Sequence, residues 1–191
     1  MGWNAEEMNA RAIMGKEAFT KDNFEKAVKQ LYGENATAIL NVYKVNNDSE
    51  VEAVATALAG DRFIGFSTWR WSDMHEKTGA GKPVYRYFYA RPRPTEKGAV
   101  HSAEIEYAMG NLHYNKVYAW TKDDHAVSAT MQAYFANFIK TGNPNGANLP
   151  NWPATKTSKP VPVMRIDVKT VLEKDAHEAR YKLLEQIAEK K

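Results

Sequence analysis

One histidine and two glutamates stand close together in GAVHSAEIEYAMGNL, residues 98–112. His101 could serve as a general base, because an imidazole gains and loses a proton readily near neutral pH. Such a base needs a carboxylate that orients its ring and a nucleophile that gives up a proton to it. A single histidine in a loop is more typical of a structural or surface role, so the rest of the chain must supply that context.

The other four histidines do not suggest a metal site; they are His75, His113, His125 and His177. His75 precedes Glu76 and His125 follows Asp124, but adjacent positions on a helix do not face the same side. The chain has no cysteine, which excludes disulfides and thiolate-bound zinc. We therefore expect no metal and no cofactor.

Composition predicts one globular domain over residues 1–191, long enough to bury roughly 70% of its unfolded surface. The 26 basic and 23 acidic residues nearly balance, and they form no long run of one sign. Nucleic-acid and membrane partners are therefore not expected. No apolar run reaches the length of a membrane span, and the first residues lack the pattern of an export signal. The cellular compartment stays open.

Helical patterns dominate the chain, and only two segments are strong strands. Helices are expected at 21–32, from about 51 to 79 with a break at Gly60 and Asp61, at 122–141, and at the C-terminus from 175 onwards. Aromatic and apolar residues between Phe63 and Met74 predict a well-buried second half of that long helix. The strands are expected at about 83–90 and 161–168.

The histidine stretch resembles the corresponding segment of the type-B carboxylesterases, the family that includes cholinesterases and bacterial para-nitrobenzyl esterases. Three further stretches are similar to that family in the same order along the chain. They are GWNAEEMNA at 2–10, GKPVYRYFYARP at 81–92 and FANFIKTGNPNGANLPNWPA at 135–154. The resemblance covers residues 2–12 and 60–190. It implies an α/β class chain, the C-terminal part of an α/β-hydrolase fold, helix-rich with a small sheet.

The same resemblance implies roles for individual residues. His101 matches the catalytic histidine, and Glu7 matches the catalytic acid. Glu104 matches a buried acid beyond the histidine. It is expected either to hold the histidine segment in place or to act only as a helix cap or a surface residue. Met8 departs from the family's glycine after the acid, and glycine permits a backbone φ that methionine resists. The acid precedes the histidine in the chain, as in other α/β-hydrolases.

No nucleophile is expected on this chain. The serine of this fold lies in a Gly-x-Ser-x-Gly turn, and the only two glycines four positions apart, Gly142 and Gly146, enclose no serine. GFSTW at 65–69 lacks the second glycine, and Ser102 is adjacent to the base. The sequence therefore predicts the C-terminal portion of a serine carboxylesterase that is inactive alone and acts on carboxylic esters only in a complete enzyme.

Two alternatives remain beside this interpretation. A non-catalytic, cholinesterase-like interaction domain would keep the packing motifs of the family without its chemistry. A small nucleic-acid module could use the alternating arginines and tyrosines of YRYFYARPRP at 85–94, although a buried strand explains that pattern better. For the esterase, a missing N-terminal portion or self-association should cover the apolar surface and the open sheet edge.

Overall fold

The computed structural model describes residues 1–79, 81–155 and 161–190. The chain forms two compact units. The first consists of Met1–Ala5 and Trp71–Asp175, and the second of Glu6–Arg70 and Ala176–Lys191. The proline-, glycine- and asparagine-rich sequence of residues 141–160 is typical of a loop, and its last five residues lie outside the described residues. Lys191, at the end of the expected terminal helix, also lies outside them.

Secondary structure is mostly helical, as the sequence predicts. The helices are α1 (Arg11–Met14), α2 (Lys21–Tyr32), α3 (Ala36–Val42), α4 (Val51–Gly60), α5 (Phe66–Thr78), α6 (Ile105–Met109), α7 (Lys122–Thr141) and α8 (Glu178–Glu189). The strands are β1 (Gly2–Asn4), β2 (Tyr87–Tyr89), β3 (Pro162–Ile166) and β4 (Val171–Lys174). The chain is thus helix-rich with a small sheet, as part of an α/β-hydrolase fold requires.

The first unit contains a four-stranded sheet in the order β1-β2-β3-β4. β1, β2 and β3 are parallel, and β4 adds antiparallel to β3. Both predicted strands are present, although each is shorter than expected. β1 and β4 were not predicted, because three residues are too few for a recognisable alternation and β4 is mostly exposed.

A core of buried side chains lies between the sheet, α6 and α7. Its members are Tyr89, Ala99, Ala103, Tyr107, Leu112, Val127, Met131, Tyr134, Trp152, Met164 and Ile166. Burying one large apolar side chain contributes on the order of 2 kcal/mol. Thr121 and Asp124 form the predicted capping box of α7, and Gly142 ends that helix in the left-handed region. This packing fixes the segments on either side of the His101 loop.

In the second unit, the helical path does not break at Gly60 and Asp61. Residues Asp61–Gly65 form one π-helical turn between α4 and α5. The expected break is wrong because the buried Asp61 carboxylate accepts hydrogen bonds from Tyr43 at 2.7 Å and from Tyr181 at 3.0 Å. These bonds satisfy the polar group in the widened turn and keep the helix continuous.

The segment from that turn to the end of α5 is also less buried than its pattern indicates. Phe63 is 47% exposed, Trp71 67% and Met74 51%. Trp69, by contrast, is buried and packs on the ring of Tyr181 within the second unit. Apolar residues at helical spacing therefore predicted the helix correctly and its burial wrongly, since spacing does not say what covers a face.

Candidate active site

His101 lies on an exposed turn between β2 and α6. The next residue, Ser102, has φ +66°, a left-handed conformation that is uncommon for a residue with a side chain. The backbone N–H of Ala103 donates to the carbonyl of Val100 at 3.0 Å, which closes the turn around the histidine. The histidine is thus presented at the surface on a tightly folded segment.

Two side chains from elsewhere in the first unit bind the segments beside His101. Asn4, at the end of β1, donates from Nδ2 to the Val100 carbonyl at 2.8 Å and to Oε2 of Glu104 at 2.6 Å. Arg93 donates to the Ser102 carbonyl at 3.0 Å and forms a 2.6 Å ion pair with Glu106. Side-chain hydrogen bonds therefore hold the loop before and after the histidine.

Neither Asn4 nor Arg93 was found from the sequence. Asn4 lies within the stretch that resembles the family, three residues before Glu7, but nothing local to it points to a segment about a hundred residues later. Arg93 stands among prolines in YRYFYARPRP, a stretch whose pattern indicates a buried strand and no contact with the histidine loop. Asn4 is 3% exposed, and a buried amide needs hydrogen-bond partners. Recognising β1 as a buried strand would therefore have pointed to Asn4.

Glu7 lies in the second unit, in the bend that follows β1. It is 7% exposed, and a Cβ added to Gly60 of α4 would lie 3.5 Å from its Cβ, so that glycine packs closely beside it. Met8 does not take a positive φ. The turn after the acid therefore forms here without the glycine that the family pattern has at that position.

Glu7 and His101 belong to different units, and the surroundings of each are described within its own unit. Glu104 lies in the same unit as His101, and its carboxylate contacts Asn4. Ser102 shares the turn with His101 as its immediate neighbour. What the first unit brings together is therefore a presented histidine, a carboxylate three residues later and an amide that binds both flanks.

An apolar cavity of about 360 Å³ lies elsewhere in the first unit. Half of the residues that line it are tyrosine, phenylalanine or tryptophan, namely Tyr85, Tyr87, Tyr134, Phe135, Phe138 and Trp152. These rings meet mostly edge to face, at centroid distances of 5.1 to 6.3 Å. Neither His101 nor Glu104 is among the residues that line it.

Metal-ligating side chains do not gather in the described parts of the chain: no group of three or more histidines and carboxylates could hold an ion there. Over residues 1–79, 81–155 and 161–190, no helix combines the length and the apolar character needed to cross a membrane.

The sequence profile of the carboxylesterase family matches residues 2–184 of the chain. The chain belongs to the carboxylesterase family. This match spans both Glu7 and His101, together with all four strands. It supports the α/β-hydrolase fold that the small, mainly parallel sheet indicates.

Individual carboxylesterases are similar to parts of the chain. Carboxylesterase 4A of Bos taurus is 34% identical over 59% of this chain and 20% of its own length. Carboxylesterase 5A of Canis lupus familiaris is 35% identical over 61% of this chain and 22% of its own length. Esterase cest-33 of Caenorhabditis elegans is 32% identical over 67% of this chain and 25% of its own length. The chain spans about a quarter or less of these relatives.

Proposed function

We propose that this chain supplies the acid, Glu7, and the base, His101, of a carboxylic-ester hydrolase whose nucleophilic serine comes from residues outside this sequence. The observation that carries the proposal is the family match over residues 2–184, which includes both side chains in the order acid, then histidine. The chain covers about a quarter or less of the length of its relatives, so most of the length of those proteins, in which a serine-bearing segment can lie, has no counterpart in this sequence. The lack of a Gly-x-Ser-x-Gly stretch in these residues agrees with this.

The proposed reaction uses each side chain in one role. In a hydrolase of this kind, the acid, the role proposed for Glu7, accepts a hydrogen bond from one imidazole nitrogen of the base, the role proposed for His101. The other imidazole nitrogen is then free to take a proton. That nitrogen takes the serine proton while the serine oxygen bonds to the ester carbonyl carbon. When the tetrahedral intermediate collapses, the bond to the alcohol oxygen breaks and the imidazolium gives its proton to that oxygen. Water then releases the acid from the acyl-enzyme by the same two steps.

The state of the two side chains supports these roles. Glu7 is buried, so its carboxylate can form a directed hydrogen bond with little competition from water. His101 is exposed on a turn that other side chains hold, so it can meet a serine presented from outside. A positioned base of this kind contributes about 10² to 10⁴-fold to the rate. Within the ester hydrolases, we propose that the complete enzyme is a serine esterase of the para-nitrobenzyl esterase type.

Hydrolysis of para-nitrophenyl butyrate tests the proposal. The chain alone should not exceed the rate of free imidazole and should not react with a fluorophosphonate probe. The chain produced together with the segment that precedes it in its reading frame should turn over and label on a serine. A burst of nitrophenol from the chain alone, or labelling of one of its own serines, would contradict the proposal.

Variants in that assembly separate the roles. His101→Ala should abolish turnover, and Glu7→Gln should lower kcat by about 10⁴-fold, because the ring loses the partner that selects its tautomer. Glu6→Gln is the matched control and should stay within about threefold of the native rate. Equal losses from Glu6→Gln and Glu7→Gln would contradict the assignment of the acid to Glu7, and a larger loss from Glu6→Gln would place the acid one residue earlier. A folded assembly without turnover would favour the non-catalytic interaction domain.

We also propose that the serine-bearing segment packs on the apolar cavity of the first unit. Phe138 and Ile139 line it from α7 and are 47% and 82% exposed. Ile139→Lys should weaken the assembly without unfolding the chain, whereas Lys140→Glu, on the exposed side of the same helix, should not. Sedimentation equilibrium measures the strength of the assembly for both variants. If the chain alone self-associates through this face, the occupant of the cavity is a second copy of the chain and not the serine-bearing segment.

A further inference from the structure

The side-chain amide of Asn4 is bonded at two points that lie on opposite sides of His101. One acceptor is the Val100 carbonyl, in the peptide bond that leads into the histidine, and the other is the Glu104 carboxylate three residues beyond it. The amide nitrogen carries two N–H groups, so each acceptor can take one. The position of the amide is itself fixed, because Asn4 pairs with Tyr89 in the sheet and is 3% exposed.

The turn between Val100 and Glu104 has a backbone conformation that needs contacts from other parts of the chain to stabilise it. Ser102 has φ +66°, a left-handed conformation that a residue with a side chain keeps only where its surroundings impose it. Arg93 bonds to the Ser102 carbonyl, but it approaches after the histidine. The Asn4 amide donates to the backbone immediately before His101, at the same Val100 carbonyl that accepts from the Ala103 N–H within the turn.

We propose that Asn4 is the positioning residue of the histidine, and that Glu104 acts through it. A carboxylate only accepts hydrogen bonds, so Glu104 selects the orientation of the Asn4 amide in which both N–H groups face the loop. The second N–H is then directed at the Val100 carbonyl. This role of Glu104 requires an acceptor oxygen and does not require its charge. The catalytic meaning of the arrangement rests on the function proposed for His101.

Four variants separate the acceptor from the charge. Asn4→Ala removes both hydrogen bonds, and Asn4→Asp replaces the donor with a carboxylate that faces two acceptors. Glu104→Gln keeps an acceptor oxygen without the charge, whereas Glu104→Ala keeps neither. Asn46→Ala is the matched control, since Asn46 also donates to a glutamate, Glu50, but on an exposed surface of the second unit.

The first measurement is amide hydrogen exchange of residues 100–105 in this chain by itself. Loss of one net hydrogen bond should speed exchange there by about tenfold in Asn4→Ala and Glu104→Ala, and more in Asn4→Asp. Glu104→Gln should stay within about threefold of native, and Asn46→Ala should not change this segment. Exchange in α7 reports whether the unit remains folded. If the Asn4 variants unfold it, the Glu104 pair decides alone.

The His101 imidazole cross-peak in a ¹H–¹³C spectrum is the second measurement. It should move or broaden in Asn4→Ala and Glu104→Ala and stay in place in Glu104→Gln. In the active assembly, Asn4→Ala should lower kcat about tenfold with KM unchanged. Unchanged exchange and an unchanged imidazole signal in Asn4→Ala, or equal effects of the two Glu104 variants, would overturn the proposal. An assembly in which His101→Ala costs nothing would refute the proposed function, while the exchange and spectral results would still decide the role of Asn4.

Discussion

Arg91 donates a 2.7 Å hydrogen bond from Nε to the carboxylate of Asp124, whose side chain is completely buried. The same carboxylate accepts hydrogen bonds from the Thr121 backbone at 2.8 Å and from the Tyr107 hydroxyl at 2.9 Å. Arg91 follows β2, Tyr107 belongs to α6 and Asp124 begins α7. One buried carboxylate therefore joins three segments that surround the His101 loop.

Asp124→Asn should lower the free energy of unfolding by about 3 kcal/mol, because the amide places N–H groups against donors and leaves Arg91 without its charge partner. Thr121→Ala removes the hydroxyl that accepts from the Asp124 N–H, together with a methyl group, and should cost about 1 kcal/mol. Urea unfolding followed by tryptophan fluorescence measures both. A loss below about 0.5 kcal/mol in Asp124→Asn would show that water replaces the carboxylate.

The same residue should contribute to acid unfolding. Burial acts to raise the pKa of Asp124, but the hydrogen bonds from Arg91 and Thr121 outweigh it and hold the pKa below its ordinary value of 3.8. A lowered folded-state pKa stabilises the protein above 3.8, and this stabilisation is lost as the pH falls through the folded-state value. Asp124→Asn should therefore flatten the loss of stability below pH 4 in a urea series across pH.

His177 should also lower the stability of the fold in acid, but through the positive charge that it gains there. Burial lowers the pKa of His177 below 6.5, and Arg180 adds to this while Asp61 opposes it. The unfolded chain then binds a proton before the folded chain does, so stability falls as the pH drops below 6.5. His177→Gln should lose less stability than the native chain between pH 6.5 and 5. The two should differ least in their pH slope near pH 8, where both side chains are neutral.

Gly65 should not tolerate a side chain. An added Cβ would lie 3.0 Å from both Asp61 Oδ1 and the Tyr181 hydroxyl, which bond to each other. Gly65→Ala should cost about 2 kcal/mol, and Tyr181→Phe should cost a similar amount. The double variant should lose little more than either single one, since both remove the same hydrogen bond.

Gly60→Ala is the matched control for that prediction. Its Cβ would meet Glu7 at 3.5 Å, an ordinary contact, and alanine is favoured over glycine inside a helix by about 1 kcal/mol. We expect unchanged or slightly higher thermal stability. Equal destabilisation by the two alanines would mean that helix geometry, and not the hydrogen bond at Asp61, makes residue 65 a glycine.

Asn145 should be required by the loop after α7. Its amide donates to the Trp152 carbonyl at 2.8 Å, and its oxygen accepts from the Trp152 backbone N–H at 2.6 Å. Asn145→Asp places a carboxylate against the carbonyl and should cost about 2 kcal/mol. The exposed neighbour Asn151→Ala should change the unfolding free energy by less than about 0.5 kcal/mol.

Local signals in the sequence determined the helix ends and the centres of two strands. Thr20 and Thr121 cap their helices, and Gly33 and Gly142 end them, because each of these bonds forms within one turn of the residue itself. Motifs in the sequence also identified His101, Glu104 and Glu7 as candidate site residues. Residue types at fixed spacing are sufficient for such predictions.

Tertiary structure alone decided the features whose hydrogen-bond partners lie far away in the chain. The π-helical turn depends on Tyr181, which lies 120 residues after Asp61. β1 is a strand because it pairs with Tyr87–Tyr89, and Asn4 reaches Val100 and Glu104 at separations of 96 and 100 residues. No local pattern encodes such pairings, since they form only when packing brings the segments into contact.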